Sequence, residues 1–472
     1  MNKKTVLILI LLLSVIVRLY GITNENIWLD EAISIRFADR SLTDTIHANS
    51  NENTPPLFDL LLNFWMRLFG HSAISVRFLS LIIGTISVFM IYKLGKLLYT
   101  ENIGLISAFI LSISSFNIYY SQEARSYSLL ALMSILSIYY YLKMDKEPKK
   151  YVIFYLISSV LMLYTHVFGV FIIIVENIDF VIRFFKNRDF KKLIKWVIIQ
   201  ISILILFMPW ILIIIGRMEN FKTITGKWIE IPTFFGPSQQ ALLYTFNDFA
   251  GNFSLFIIYL IIFVYSIKNF KNEKNYILYI WLFFPILFCF IFSRYLTPIY
   301  VTRYFISSSI ALYILLSFSL EKIKYTVIKY GFIFLLLFFS IIAIINQSNI
   351  YNKDRWGEVV DYVKNTMTEE ESIILTAPYM VSPFLYFYDY GCLIADEGSY
   401  VCAPTIDVYP LNFDYQLESV NNLEKSIWLI TSQSKLADIN ESIPNYFKEN
   451  RVLLDYKKYP LDIEVFHFSS LN

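Results

Sequence analysis

Long apolar runs, separated by short polar segments, recur along the first three quarters of the chain. Most of them approach the length of about 18 residues that a helix needs to cross the hydrocarbon core of a bilayer. The pattern predicts about eleven membrane-spanning helices. They lie near residues 5–22, 76–96, 103–119, 126–143, 151–165, 167–185, 196–215, 253–268, 276–292, 304–320 and 327–346.

The pattern becomes that of a water-soluble segment from Asp354 onward. Helical and strand-like periodicities alternate there, which is typical of a small α/β domain. We therefore predict a transmembrane domain at residues 1–347 and an extracytoplasmic α/β domain at residues 348–472. The elements predicted in the second domain are a helix at Trp356–Met367 and strands at Ile373–Thr376, Ile427–Thr431, around Val452–Tyr456 and around Ile463–Phe468.

Residues 23–75 form a long loop after the first predicted span, and its second half has a helical pattern. One stripe of this helix is apolar, and Asp59, Asn63 and Arg67 occupy the opposite stripe. Because about 13 residues are too few to cross a bilayer, we expect this helix to lie in the membrane interface. The apolar stripe consists of Leu57, Leu60, Leu61, Phe64, Trp65 and Leu68.

The distribution of lysine and arginine orients the predicted spans. Basic residues accumulate in alternate connecting segments, such as residues 143–150 and 183–195, as they do in cytoplasmic loops. This alternation predicts a multi-pass protein of the cell membrane with a cytoplasmic N-terminus and an extracytoplasmic C-terminal domain. The apolar segment after Lys3 and Lys4 lacks a small-residue cleavage pattern, so we interpret it as a retained membrane helix.

The composition agrees with a protein whose main partner is the lipid bilayer. The 472 residues are 56% hydrophobic and only 17% charged, with a mean hydropathy of +0.53. The net charge of +2 gives no reason to expect a nucleic-acid partner. Of the three cysteines, Cys392 and Cys402 share the C-terminal segment and would either form a disulfide or remain buried thiols.

The polar residues gather at one membrane level, at the outer ends of spans or in outer loops. A cleft at that level would bring carboxylates, histidines and arginines from distant parts of the sequence around one ligand. We interpret it as a candidate active site. The residues concerned include Asp30, Glu31, Arg77, Glu123, Arg125, His166, Arg294 and Arg303.

Each of these residues also has a structural interpretation. Asp30 and Glu31 precede a helical stretch, where acids cap a helix or stabilise its dipole, whereas the functional interpretation makes Asp30 a general base. Glu123 and Arg125 would form an ion pair or bind a phosphate. Arg294 and Arg303 would either extend toward the interface or stabilise a phosphate leaving group.

His166 is equally explained as a hydrogen-bonding residue at a turn. The four histidines lack the spacing of metal ligands, so no metal site is expected. The absence of a glycine-rich phosphate loop argues weakly against a nucleotide-sugar donor.

Glu176, Asn177 and Asp179 lie inside the sixth predicted span. Ionisable groups at such depth often line a transport pathway, which supports a rival interpretation as a transporter or lipid-linked glycan flippase. They are also explained by hydrogen bonds between neighbouring helices.

Several motifs, in order, resemble those of GT-C membrane glycosyltransferases, nearest to protein O-mannosyltransferases and lipid A aminoarabinose transferases. The resemblance covers roughly residues 5–345. The chain has Thr54 before the paired prolines, where family members often carry a basic residue. The motifs are Trp28-Leu29-Asp30-Glu31-Ala32, Asn53-Thr54-Pro55-Pro56-Leu57, Gly70-His71 with Arg77 and Ser80, Ser121-Gln122-Glu123-Ala124-Arg125-Ser126-Tyr127, Tyr164-Thr165-His166 and Arg303-Tyr304.

The resemblance implies a GT-C-like polytopic α-helical fold and transfer of a mannose-like monosaccharide from a polyprenyl- or dolichyl-phosphate donor, with inversion, to an extracytoplasmic acceptor. It implies that Asp30 is the catalytic carboxylate, that Glu31 orients a substrate, and that Arg125 and Arg303 contact the phosphate. The remaining candidates for substrate or phosphate binding are Arg77, Glu123, Tyr127, His166, Arg294 and Tyr304. A monophosphate donor has less need of a divalent metal, so we expect no metal or other cofactor.

Two further interpretations remain open beside the flippase. One is an oligosaccharyltransferase or glycan ligase acting on diphosphate-linked glycans, and the other is a surface scaffold protein whose external domain carries the function. The sequence does not identify the sugar, and the acceptor is a protein, a lipid or a glycan.

Overall fold

The computed structural model describes residues 2–52, 54–216, 229–235, 241–268, 275–349, 353–368, 371–376, 378–394, 408–411, 424–432 and 442–471. The chain divides into two compact units. The first contains residues 1–22, 42–70 and 74–349, and the second contains residues 23–41, 71–73 and 350–472. The predicted boundary at 347/348 stays a prediction.

The first unit is helical, because its apolar runs have no other means of satisfying their backbone in a membrane. Every predicted span coincides with a helix or with a pair of helices. The helices of this unit are α1 (Lys3–Leu19), α3 (Leu42–Asn51), α4 (Leu57–Phe69), α5 (Ala73–Leu98), α6 (Glu101–Ile113), α7 (Ser115–Ser121), α8 (Tyr127–Lys146), α9 (Pro148–Thr165), α10 (Val170–Asn187), α11 (Phe190–Gly216), α12 (Leu242–Ala250), α13 (Phe253–Lys268), α14 (Asn275–Tyr295), α15 (Ile306–Lys322) and α16 (Thr326–Asn349).

Six helices among the described residues are long and apolar enough to cross a membrane, and up to eight spans result if each of two bent pairs counts as one. The predicted number of eleven is therefore not confirmed. Helices such as α1 and α10 fall outside the six because of their shorter length or their charged residues. The membrane-protein nature of the chain is confirmed.

Helix α15 is the centre of the first unit, since every residue from Ile306 to Leu320 is buried. Helices α11 and α16, in contrast, expose most of their apolar side chains, as lipid-facing helices do. Helices α5 and α6 approach closely because glycines face each other: a Cβ on Gly95 would lie 2.9 Å from the Cα of Gly104. Small residues at such crossings allow two membrane helices to pack backbone to backbone.

Two spans of this unit are broken. Helices α6 and α7 bend by 63° at Ser114, whose hydroxyl caps α7 and lies 2.8 Å from the Tyr313 hydroxyl. The helix pair Leu242–Ala250 and Phe253–Tyr265 bends by 98° at Gly251, which has a positive φ of 96°. Side chains of neighbouring helices thus bind the polar groups that each break exposes, as membrane depth requires.

The short helix α4 matches the predicted interfacial helix. Its apolar stripe is exposed at Leu61, Phe64 and Leu68, whereas Asp59 and Asn63 are buried against the protein. This orientation suits a helix whose outer face meets lipid.

The second unit combines α2 (Leu29–Ala38) with the C-terminal α/β segment. Its five-stranded sheet has the order β2-β1-β3-β5-β4, with β1 parallel to β2 and β3, and β5 antiparallel to β3 and β4. Strands β1 and β3 are buried at every residue, as expected for central strands. The elements are α17 (Trp356–Thr366), β1 (Ser372–Thr376), α18 (Val381–Tyr388), α19 (Tyr390–Ile394), β2 (Val408–Leu411), β3 (Ile427–Thr431), α20 (Ser442–Asn450), β4 (Leu453–Tyr459) and β5 (Ile463–Phe468).

The predicted α/β character of the C-terminal segment is confirmed. The predicted helix and strands correspond to α17, β1, β3, β4 and β5, whereas α18, α19, α20 and β2 were not predicted. Cys402 lies outside the described residues, so its pairing with Cys392 stays a prediction.

Candidate functional site

Asp30 and Glu31 occupy the first turn of α2 in the second unit. The N-cap residue of this helix is Trp28, which makes no side-chain capping bond, so Asp30 is not the cap. Both carboxylates still lie at the positive end of the helix dipole, which favours their ionised form. Asp30 is partly exposed and Glu31 is fully buried. The pair therefore contains one carboxylate that is partly open to solvent and one that is not.

Lys353 supplies the charge that faces the buried carboxylate. Its Nζ lies 3.3 Å from Glu31 Oε2 and 3.8 Å from Glu25 Oε2, and its side chain is only 3% exposed. The same Nζ lies 5.6 Å from the centre of the Trp28 ring. Burying a charge is costly unless it is paired, and the ion pair between Lys353 and Glu31 offsets that cost. We call Glu25, Trp28, Asp30, Glu31 and Lys353 the acid cluster.

Helix α2 is fastened to the C-terminal segment at several further points. Helix α18 packs along α2, and the Tyr390 hydroxyl donates to Asp39 Oδ2 at 2.7 Å. Gly357 leaves room for the Asn26 side chain, because a Cβ at that position would lie 3.0 Å from Asn26 Oδ1. The start of the long loop thus forms part of the C-terminal unit, although more than 300 residues separate Lys353 from Glu31 in sequence.

A second group of candidate residues assembles in the first unit, where helix ends meet. Arg125 precedes α8, Tyr127 begins it, His166 ends α9, and Arg303 and Tyr304 lie in the 3₁₀ turn before α15. We call these residues the basic-aromatic cluster. The Arg303 guanidinium lies 5.9 Å from the Tyr127 ring centre and 5.7 Å from that of Tyr304. The His166 and Tyr304 rings are 5.1 Å apart.

His166 is held in one tautomer within this cluster. Its Nδ1 accepts a hydrogen bond from the Phe168 backbone N–H at 3.2 Å. Burial, together with the charges of Arg125 and Arg303, lowers the pKa of His166 to about 3. The imidazole is therefore neutral near pH 7, and the hydrogen-bond pattern assigns its proton to Nε2. A neutral N–H donor beside two guanidinium groups suits a phosphate oxygen.

Three other predicted residues have contacts of a more structural kind. Arg77 is buried in α5 and donates to the Ile22 carbonyl at 2.8 Å. Arg294 is exposed at the end of α14 and donates to the Pro232 carbonyl at 3.3 Å. Glu123 is buried in the turn that leads to Arg125, whose backbone N–H donates to the Glu123 carbonyl. The substrate-binding roles of all three stay predictions.

The polar residues of α10 form a network between helices. Glu176 accepts hydrogen bonds from the hydroxyls of Ser137 and Tyr155, each at 2.7 Å. Asp179 accepts from the Tyr141 hydroxyl and pairs with Arg183 at 2.8 Å. Asn177 bonds Gln200 and Trp196 on α11. These contacts join α8, α9, α10 and α11, which favours the structural interpretation of the sixth span.

Sequence reasoning missed two residues of note. Lys353 follows the last membrane helix, where a single lysine carries no signal. Arg18 is buried near the end of α1 and donates to Ser14 Oγ at 2.8 Å and to the Ser112 carbonyl at 3.2 Å, beside the break between α6 and α7. A buried arginine in the last turn of an apolar helix is a detectable signal, because such groups are rare in membranes.

Within the described part of the chain, no group of three histidine, cysteine, aspartate or glutamate side chains is arranged to hold a metal ion. The two clusters instead offer carboxylates paired with an ammonium group, and guanidinium groups among aromatic rings. The first set suits proton transfer and the second suits an anionic ligand.

Comparison with known families matches residues 53–213 to the model of dolichyl-phosphate-mannose-protein mannosyltransferases. The matched segment includes Arg125 and His166 but neither Asp30 nor Arg303. Among curated protein sequences, none is significantly similar to the chain.

Solved structures match over nearly the whole chain. ArnT from Cupriavidus metallidurans, solved with bound undecaprenyl phosphate, is 11% identical with a TM-score of 0.65, covering 98% of this chain and 97% of that one. The oligosaccharyltransferase of Archaeoglobus fulgidus is 12% identical with a TM-score of 0.61, covering 99% and 74%. The mycobacterial arabinofuranosyltransferase AftD is 14% identical with a TM-score of 0.53, covering 100% and 40%.

Proposed function

We propose that this chain, which has the fold of the GT-C membrane glycosyltransferases, moves a monosaccharide from a polyprenyl- or dolichyl-phosphate donor to an extracytoplasmic acceptor. The observation that carries the proposal is the acid pair at the start of α2: a partly exposed Asp30 beside a buried, lysine-paired Glu31. The family model over residues 53–213 and the lipid phosphate bound to the similar ArnT support the choice of donor.

In this reaction Asp30 is the general base. It takes the proton of an acceptor hydroxyl while the hydroxyl oxygen forms a bond to the anomeric carbon. The bond from that carbon to the phosphate oxygen breaks, and its electron pair leaves with the polyprenyl phosphate. Attack from the face opposite the phosphate inverts the configuration at the anomeric carbon.

The basic-aromatic cluster has the chemistry to stabilise the leaving group. Negative charge grows on the phosphate as the glycosidic bond breaks, and preorganised cations and N–H donors lower the energy of that state. Arg125 and Arg303 supply the positive charge, and His166 Nε2–H supplies a neutral donor. Since a monophosphate leaves with this assistance, the proposal includes no divalent metal and no other cofactor.

The orientation of the protein follows from the distribution of basic residues. We propose that the N-terminus is cytoplasmic and that α2 and the C-terminal segment are extracytoplasmic, in contact with lipid-linked donor and acceptor at the outer face. Labelling of single cysteines placed in the loop before α2 with a membrane-impermeant reagent tests this topology. Labelling only after the cells are permeabilised would contradict it.

The donor class is tested with the purified full chain in detergent. The protein is incubated with a mannosyl polyprenyl phosphate, with a polyprenyl diphosphate sugar or with a nucleotide sugar, and with membrane extract as acceptor source. We expect release of polyprenyl phosphate from the first donor alone, measured by mass spectrometry, and no release by Asp30→Asn. Turnover of the diphosphate donor alone would overturn the proposed donor class.

A further inference from the structure

We propose that Lys353 is a positioning residue of the acid pair: its ammonium group holds Glu31 in place and ionised, so that the segment after the last membrane helix belongs to the catalytic apparatus. This inference rests on the proposed function, because it takes Asp30 and Glu31 as the catalytic pair. It gives the C-terminal unit a role in the reaction itself, in addition to any role in choosing the acceptor.

Lys353 is buried and its ammonium group faces two carboxylates. Its ammonium group lies within 3.8 Å of two carboxylates, those of Glu31 and Glu25. The Glu31 side chain is 0% exposed and that of Lys353 is 3% exposed, so water does little to screen their attraction. Burying a long, flexible lysine costs rotamer freedom, and the ion pair offsets that cost.

The charges around Glu31 explain why a lysine is needed there. Glu25 comes from the loop before α2, Asp30 is the preceding residue of α2, and Asp354 follows Lys353. Helix α18, which packs on α2, carries no charged residue, and Arg355 at the start of α17 pairs with Glu358. Lys353 thus brings a cation to within 3.8 Å of two of these carboxylates, those of Glu31 and Glu25.

Removal of this cation has a consequence that a purely structural residue would not have. Without Lys353, Glu31 would be buried near the Glu25 carboxylate and would lose this ion pair, and such a group binds a proton at higher pH. If transfer requires ionised Glu31, the acidic limb of the pH–rate profile must move upward. Two control variants accompany the removal of Lys353. Lys353→Arg keeps the positive charge at this position, and Lys458→Met removes an exposed ammonium group that pairs with Glu464 on another part of the same unit.

The experiment measures polyprenyl phosphate release by the full-length chain from pH 5 to pH 9 at saturating mannosyl polyprenyl phosphate. We expect Lys353→Met to lower kcat at pH 7 at least about tenfold and to shift the acidic limb upward by about one to two pH units. The rate should partly recover at high pH, and the KM for the donor should change less than about twofold, since the lysine does not touch the lipid. In Lys353→Arg the acidic limb of the pH–rate profile should lie where it does in the wild type. In Lys458→Met both kcat and the position of that limb should be unchanged.

An unshifted limb in Lys353→Met would overturn the inference, whether or not the rate fell. If that variant does not fold, as judged by size-exclusion chromatography, the double variant Lys353→Met with Glu31→Gln decides the matter. Removing both charges should restore the folded peak, because no uncompensated buried carboxylate remains opposite position 353. A double variant as poorly folded as the single one would contradict the pairing.

The two proposals fail in different ways. Full transfer by Asp30→Asn would sink the proposed function, and the role of Lys353 with it. An inactive Asp30→Asn together with an unshifted Lys353→Met would sink the role of Lys353 alone.

Discussion

Glu176 and Glu31 are both fully buried carboxylates, but their partners differ in kind. Glu176, in the membrane helix α10, accepts hydrogen bonds from two hydroxyls on neighbouring helices. Glu31, at the start of α2, faces the ammonium group of Lys353. The hydroxyl partners of Glu176 come from two other helices, α8 and α9, whereas Glu31 faces one ammonium group and the residue before it, Asp30, is partly exposed.

The difference shows how buried acids can be sorted by their partners. Hydroxyl and amide partners on several helices join those helices, and Glu176 can serve that purpose in either protonation state. An ion pair stabilises the charged forms of its two members, and under the proposed function the adjacent, partly exposed Asp30 is the carboxylate that reacts. The sequence alone makes both places look functional: Glu176 because ionisable residues are rare inside membrane spans, and Glu31 because it belongs to a motif that resembles one of the GT-C glycosyltransferases.

The largest effect should follow from Asp30→Asn. Asparagine keeps the size of the side chain but cannot accept a proton, and loss of a general base typically costs about 100- to 10,000-fold in rate. We expect kcat to fall by that amount, with little change in the donor KM. The measurement is initial-rate kinetics on purified protein, with Asp44→Asn on the exposed first turn of α3 as the matched control. Equal losses in both variants would remove the special role of Asp30.

The next largest effect should follow from Arg303→Met. Methionine keeps apolar contact with the rings of Tyr127 and Tyr304 but removes the positive charge that stabilises the leaving phosphate, at a cost of about 100-fold in kcat/KM. The matched control is Arg67→Met, since Arg67 is exposed at the end of α4. An Arg303 variant with wild-type kcat/KM would exclude this arginine from phosphate stabilisation.

Glu176→Gln should have only a small effect on transfer. A large effect would contradict the distinction drawn between Glu176 and Glu31. Glutamine still accepts one hydroxyl hydrogen bond and donates another, so the helices should stay joined. We expect transfer within about threefold of wild type and a loss of stability of about 1 kcal/mol, typical of hydrogen bonds between membrane helices. Thermal unfolding followed by fluorescence and the same kinetic assay check both. A fully stable variant that has lost transfer would show a functional role of Glu176 and would contradict the structural interpretation of α10.

The smallest effect should come from removal of divalent metal. EDTA should leave transfer unchanged, because the proposed leaving group is neutralised by Arg125 and Arg303. Loss of activity with EDTA, and its return with Mg²⁺ or Mn²⁺, would contradict the metal-independent mechanism.

Much of the fold follows from local patterns that the sequence displays. Long apolar runs located the membrane helices, and short apolar runs located the central strands β1 and β3. The number of spans did not follow, since the breaks at Ser114 and Gly251 depend on contacts with other helices, such as that of Ser114 with Tyr313. Strand β2 was missed because Pro410 interrupts it, yet its place at the edge of the sheet tolerates a proline.

The site was predictable only in part. The acid motif and the arginine–tyrosine motifs stand out because each is a polar group beside an apolar run. Lys353 does not stand out in the sequence, because its role depends on contact with Glu31, which lies 322 positions away. The neutral state of His166 could not be predicted from the sequence either, because its pKa depends on burial and on two arginines from other segments. Pairings of this kind exist only after folding.

The chemical fate of a labelled sugar tests the central claim most directly. Purified protein is reconstituted in sealed liposomes, with radiolabelled mannosyl polyprenyl phosphate and membrane extract supplied as donor and acceptor. We predict that the label leaves the lipid and appears in the acceptor, with one polyprenyl phosphate released for each sugar transferred. Label that crosses the bilayer while still attached to its lipid, with no polyprenyl phosphate released, would contradict the account.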